Sequence, residues 1–193
     1  MASTLTSLLL SYLLGCFSSA YYLVRWRTGE DVRLHGSGNA GATNAGRVLG
    51  KWAFVVALLG DAGKGALAVG LAGWLTGGDV WAVGLAMPAV IVGHIWPAQM
   101  KFRGGEGFAT AIGALAALDI VLLAVVGGVA LVVYLVSRKR SLAGVVALLL
   151  ALPLTVYLGW PLGHQAGLLV VVLVMLWAFR RHIRSLFERR KVG

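Results

Sequence analysis

The sequence predicts an all-α integral membrane protein with seven transmembrane helices, its N-terminus outside and its C-terminus in the cytoplasm. Three observations carry this. First, 59% of the 193 residues are hydrophobic and only 12% are charged, against about 25% charged in soluble domains; mean hydropathy is +0.86. Second, apolar runs near the roughly 20 residues that cross a bilayer recur along the whole chain. Third, Lys and Arg fall almost entirely in alternate loops.

Taken in order, the runs are 4–24, 52–75, 80–98, 108–118, 120–136, 142–160 and 163–179. The first starts without a basic stretch, since no Lys or Arg precedes Arg25; it therefore reads as an uncleaved anchor rather than a signal peptide. The fourth, FATAIGALAAL, is short and Gly/Ala-rich, either a half-buried helix or one arm of a bent hairpin with the fifth. Trp26, Trp52, Trp74, Trp81, Trp96, Trp160 and Trp177 stand at or near the ends of runs, where an aromatic belt places them. One set of loops (25–51, 99–107, 137–141 and 180–193) holds 16 of the 17 Lys and Arg residues. The positive-inside rule puts that set in the cytoplasm, which requires 108–136 to cross twice. The whole chain, 1–193, reads as one transmembrane domain.

The net charge of +10 would suggest nucleic acid in a soluble protein; here topology accounts for it, and no nucleic-acid partner is expected. Cys16 is the sole cysteine, which excludes an intrachain disulfide and a cysteine-cluster metal site. Residues 36–41, GSGNAG, satisfy the dinucleotide-binding G-x-G-x-x-G, but that motif needs a preceding strand and a following helix in a βαβ unit. The preceding RWRTGEDVRL is charged, and Asp61, which would be the ribose-binding acid, lies within a long apolar run. The dinucleotide reading fails on this context. GRVLGK and GDAGKG both miss the P-loop spacing.

The unusual residues gather on the cytoplasmic face, in HGSGNAGATNAGRVLG (35–50), KFRGGEGFAT (101–110), SRKRS (137–141) and FRRHIRSLFERR (179–190). Glycines let backbone N–H groups approach an anion, hydroxyls add donors, and Arg adds charge-assisted bonds. One such loop alone only turns the chain or binds lipid headgroups; several on one face point to a site for phosphorylated ligands. GGEGFAT leads into a predicted helix whose N-terminus would face a phosphate. Within the runs, Asp61 and Lys64 at i, i+3 are a structural pair or part of a ligand site. His94 precedes the helix-ending Pro97 as an interfacial histidine or a ligand contact. No Ser-His-Asp or His-x-x-His pattern indicates a hydrolase or a metal site.

GSGNAGATNAGRVLG, GHIWPAQMKFRGGEGFAT and, less closely, FRRHIRSL resemble the three cytoplasmic motifs of the PlsY family, membrane acyl-phosphate:glycerol-3-phosphate acyltransferases. The family pattern is a GSGNPGATN loop, a GHxFP…KFKGGKG loop and an HRxNIxR segment. The resemblance implies seven spans and transfer of a fatty acyl group from acyl phosphate to the 1-hydroxyl of glycerol 3-phosphate. The products would be lysophosphatidic acid and phosphate, with no cofactor, metal or acyl-CoA. It also implies roles by position: Ser37, Arg47, Arg103 and Ser141 as catalytic, and Gly38, Asn39, Thr43, Asn44, His94, Gly104, Gly105, Gly107 and His182 as phosphate-binding. Membrane lipids are the expected surroundings.

The chain departs from the pattern at Ala40 (Pro in the family), Arg103 (Lys), Glu106 (Lys), Phe179 (His), His182 (Asn) and Ser185 (Arg). Glu106 is a charge reversal in a phosphate loop. It is expected to be paired with Arg103 or Lys101, or to face solvent. A catalytically silent homologue that binds phospholipid or a partner enzyme is the alternative these departures motivate; an organic-phosphate transporter fits less well, because transporter sites lie near the midplane.

Overall fold

A computed structural model describes residues 2–188, together with their side chains except those of Arg140, Ser141, Phe179 and 181–188. Among the described residues all regular structure is helical: α1 (Ala2–Cys16), α2 (Ser19–Thr28), α3 (Ala42–Leu49), α4 (Lys51–Thr76), α5 (Val80–Ile95), α6 (Phe108–Leu118), α7 (Ile120–Ser137), α8 (Arg140–Tyr157) and α9 (Leu162–Glu188), with short 3-10 turns at Val32–Leu34 and Ala98–Met100.

The expected runs reappear as helices, with two differences. The first run is broken at Phe17–Ser18. Ser18 adopts an extended conformation and caps α2 by accepting from the Tyr21 N–H at 3.3 Å, while its own hydroxyl donates to the Ala40 carbonyl at 3.1 Å. The second difference is α3, a helix where a glycine-rich loop was expected; its buried Ala42 and Ala45 pack into a small cluster with Val24, Val32, Ala53 and Ala57.

Among the described residues, length and composition single out four stretches able to cross a membrane, Ala2–Thr28, Lys51–Thr76, Val80–Met100 and Ile120–Ser137; Phe108–Leu118, Leu142–Tyr157 and Leu162–Ala178 are apolar but shorter. The exterior is apolar, as a lipid-facing surface requires. Val136 is 83% exposed on α7 and Trp26 and Trp74 are each 78% exposed.

The helices meet through small residues, as membrane bundles do in the absence of a hydrophobic drive between them. A Cβ on Gly65 of α4 would strike the Thr110 carbonyl of α6, and one on Gly113 of α6 would strike the Ala62 carbonyl of α4. This approach brings the start of α6 alongside the middle of α4. The main core, with Met87, Ile91, Leu122 and Met175, lies between α4, α5, α6, α7, α8 and α9.

Candidate active site

The first glycine-rich segment is held from within by Asn44. Its Nδ2 donates to the carbonyls of Val32 (2.7 Å), His35 (2.9 Å) and Asn39 (3.0 Å), and its Oδ1 accepts from the Ser37 N–H at 3.2 Å. Gly36 and Gly38 take φ of +55° and +71°, which non-glycine residues rarely adopt. A side chain at Gly36 would also displace the Asn44 amide. With its amide engaged in this way, Asn44 shapes the loop that presents Ser37 and Asn39.

The second loop is fastened to the end of α5. Gly104 N–H donates to the Ile95 carbonyl at 2.9 Å and Gly105 N–H to the His94 carbonyl at 3.0 Å, while the Gly104 carbonyl accepts from the Ala40 N–H of the first loop at 3.3 Å. These glycines thus spend their N–H groups on the scaffold. Arg33, which the motifs do not single out, clamps the same loop. Its Nη1 donates to the carbonyls of Met100 (2.8 Å) and Arg103 (3.0 Å), on either side of Lys101 and Phe102, whose φ values are +55° and +57°. Arg33 pairs with Asp31 at 2.6 Å. The hydrogen bond from Arg33 holds the Asp31 carboxyl below its ordinary range, and in turn raises the guanidinium. A Lys would lack this two-sided fork.

Three charged or titratable side chains, Asp61 and Lys64 from α4 and His94 from α5, meet beneath these loops. Lys64 Nζ lies 2.9 Å from Asp61 Oδ1 and 2.8 Å from His94 Nδ1, and also donates to the Phe17 carbonyl released by the break between α1 and α2. The Ser19 N–H donates to Asp61 Oδ1 at 3.3 Å. All three side chains are at most 5% exposed.

Between α3, α4, α6, α7 and α8 lies a cavity of about 590 Å3. Its lining combines polar residues, Ser37, Asn39, Thr43, Arg47, Asp61, His94 and Glu106, with apolar and aromatic ones, Phe54, Leu58, Ile112, Leu131 and Tyr134. Two helix N-termini open on it: Gly41, Ala42 and Thr43 at the start of α3, and Gly107, Phe108 and Ala109 at the start of α6. Uncompensated N–H groups and the helix dipole make such ends attractive to anions. The Arg47 guanidinium and the Ser37 hydroxyl have no hydrogen-bond partner among the described residues.

The structure therefore brings Ser37, Asn39, Thr43, Asn44, Arg47, His94 and Gly107 to one cavity. Gly38, Arg103, Gly104 and Gly105 are not in its lining, and Arg103 is exposed. The side chains of Ser141 and His182 lie outside the described residues. Of the two arrangements expected for Glu106, pairing with Arg103 or Lys101 is not seen among the described residues; its side chain is half-buried and contributes to the cavity lining. Sequence reasoning missed Arg33 and left open Lys64, whose only sequence signal was a charge inside an apolar run.

The family model described as "Glycerol-3-phosphate acyltransferase" matches residues 5–189. Glycerol-3-phosphate acyltransferase 1 of Desulfitobacterium hafniense is 43% identical over 180 residues, covering 93% of this chain and 88% of that protein. Glycerol-3-phosphate acyltransferase of Pseudomonas aeruginosa is 42% identical over 190 residues, 95% of each. The crystal structure of PlsY (YgiH), an integral membrane glycerol 3-phosphate acyltransferase, in its glycerol 3-phosphate form, superimposes with a TM-score of 0.89 at 31% identity. It covers 97% of this chain and 94% of that one. Its lysophosphatidic acid form gives 0.87 at 29% identity, with 97% and 93% covered. The fold, the glycine-rich loops and these matches agree, and the chain belongs to the glycerol-3-phosphate acyltransferase family.

Proposed function

We propose that this protein acylates the 1-hydroxyl of glycerol 3-phosphate with acyl phosphate as donor. The observation that carries the proposal is the cavity itself, whose lining joins two helix N-termini and Arg47 with Phe54, Leu58, Ile112 and Leu131. Acyl phosphate is anionic at one end and apolar at the other, and such a cavity matches both ends. The hydroxyl oxygen attacks the acyl carbon, the bond from that carbon to the phosphate oxygen breaks, and the hydroxyl proton leaves with the phosphate. The mixed anhydride is already activated, so the protein's part is to hold two anions in line and steady the charge that develops. Ser37, Thr43, Arg47 and the helix ends serve that part, with Asn44 and Arg33 fixing the loops.

The distribution of Lys and Arg supports seven crossings, with both glycine-rich loops on the cytoplasmic side of the cell membrane. Glu106 in the cavity wall favours a second reading, a homologue that binds phospholipid without turnover. Purified protein given acyl phosphate and glycerol 3-phosphate decides between them. Release of one phosphate per lysophosphatidic acid, with no product from acyl-CoA, is the expected result; absence of product from every donor would favour the second reading.

A further inference from the structure

The break at Phe17–Ser18 interrupts a helix inside an apolar run, where orphaned backbone groups need partners from the protein itself. Side chains supply them. Gln99 Nε2 donates to the Cys16 carbonyl at 2.6 Å, and Lys64 Nζ donates to the Phe17 carbonyl. The Ser19 N–H donates to Asp61 Oδ1 and the Tyr21 N–H to Ser18 Oγ, each at 3.3 Å.

The one proton of the Ser18 hydroxyl goes further, to the Ala40 carbonyl at 3.1 Å. Ser18 is 1% exposed and Ala40 is fully buried, so water does not compete for this bond. The Ala40 N–H donates to the Gly104 carbonyl at 3.3 Å. Ala40 is therefore pinned on both sides, to the helix break and to the second loop. A peptide unit is planar and trans, with its C=O and N–H pointing in opposite directions. Holding the Ala40 carbonyl toward Ser18 thus fixes the Gly41 N–H of the same unit, which points away from Ser18. Gly41 lines the cavity, whereas Ser18 does not. The Gly41 N–H stands just ahead of α3 and has no hydrogen-bond partner among the described residues. Glycine puts little restraint on the rotation of that unit, so its orientation depends on the bond from Ser18.

We infer that Ser18, outside the cavity, is a positioning residue: through the Ala40 carbonyl it aims the Gly41 N–H at an anionic oxygen of a substrate bound at the start of α3. Its effect on turnover rests on the proposed acyl transfer; the order it gives to the first loop does not.

The test uses the purified full chain with substitutions at Ser18. Ser18→Ala removes the hydroxyl, Ser18→Cys keeps its size with a weak donor, and Ser18→Thr keeps the hydroxyl. Amide hydrogen exchange read by mass spectrometry compares residues 39–45 with α2 and α4. Ser18→Ala is expected to speed exchange in 39–45 about three- to tenfold, the scale of one hydrogen bond, and to leave α4 unchanged. The KM for glycerol 3-phosphate or for acyl phosphate is expected to rise about three- to tenfold with kcat within about twofold, the mark of lost ground-state binding. Ser18→Thr is expected to stay within about twofold of wild type in both readouts. If Ser18 only caps α2, Ser18→Ala loosens α2 and lowers Tm while 39–45 and both KM values stay in place; that result overturns the inference, as does a Thr variant that behaves like Ala. Where Ser18→Ala does not fold, Ser18→Cys carries the same expectations. If wild type does not turn over acyl phosphate at all, the proposed reaction fails, and exchange in 39–45 still decides: equal rates in wild type and in the Ala or Cys variant reject the role of Ser18.

Discussion

Removing the carboxylate of Glu106 tests whether the cavity holds a phosphate. A cavity of about 590 Å3 has an equivalent radius of about 5 Å, so a phosphate near its centre lies about that far from a charge in the wall. At an effective dielectric near 20, two like unit charges at that distance repel by about 3 kcal/mol. Glu106 is only half-buried, and screening by solvent and salt removes part of this. About 1.4 kcal/mol surviving corresponds to a factor of ten. Glu106→Gln, which keeps shape and removes charge, is therefore expected to lower the KM for glycerol 3-phosphate at least about tenfold at low salt, with a smaller difference from wild type at high salt. Steady-state kinetics with acyl phosphate saturating, at two ionic strengths, reads this directly. A KM within about threefold of wild type would refute the placement of the phosphate beside Glu106.

Ser37→Ala and Arg47→Ala are each expected to lower kcat/KM by about ten- to a hundredfold, the cost of a hydrogen bond to a charged group, with an unchanged melting temperature. Wild-type kinetics in both would remove the first loop from the site. Asn44→Ala removes a donor from the Val32 and His35 carbonyls and strands the Asn39 carbonyl and the Ser37 N–H, and should cost at least about 2 kcal/mol of stability, or about 4–8 °C in Tm; an unchanged Tm would contradict its role as the internal support of the loop. For topology, in a Cys16→Ala background, a cysteine at Thr76 should react with an impermeant thiol reagent from outside intact cells, and one at Lys101 should not. The reverse pattern would overturn the orientation.

Much of the fold is legible because bilayer-length apolar runs have few alternatives. The run at 52–75 became α4 (Lys51–Thr76), and 120–136 became α7 (Ile120–Ser137). What escaped the sequence depends on contacts distant along the chain. The break at Phe17–Ser18 lies within an unbroken apolar run; it is sustained by the Ala40 carbonyl and by Lys64, neither of them local. α3 is glycine- and asparagine-containing and only eight residues long, too weak a helix former to read by propensity; burial against α2 and α4 makes it helical. The motif residues Ser37, Thr43 and Arg47 were legible as an anion loop, but Asn44's engagement within that loop was not. Which of the two arrangements Glu106 takes, paired or solvent-facing, was not legible, because it depends on the loop that Arg33 holds through the Met100 and Arg103 carbonyls, in which Arg103 is exposed and the half-buried Glu106 lines the cavity unpaired among the described residues.

The most direct test of the central claim, that one cavity brings the two anionic substrates together, is an experimental structure of this chain with glycerol 3-phosphate bound. The phosphate is expected within hydrogen-bond distance of Arg47 and of the first-turn amides of α3 or α6, with the 1-hydroxyl directed toward Phe54 and Ile112 in the same lining. Phosphate bound outside that cavity, with Arg47 and His94 both untouched, would contradict it.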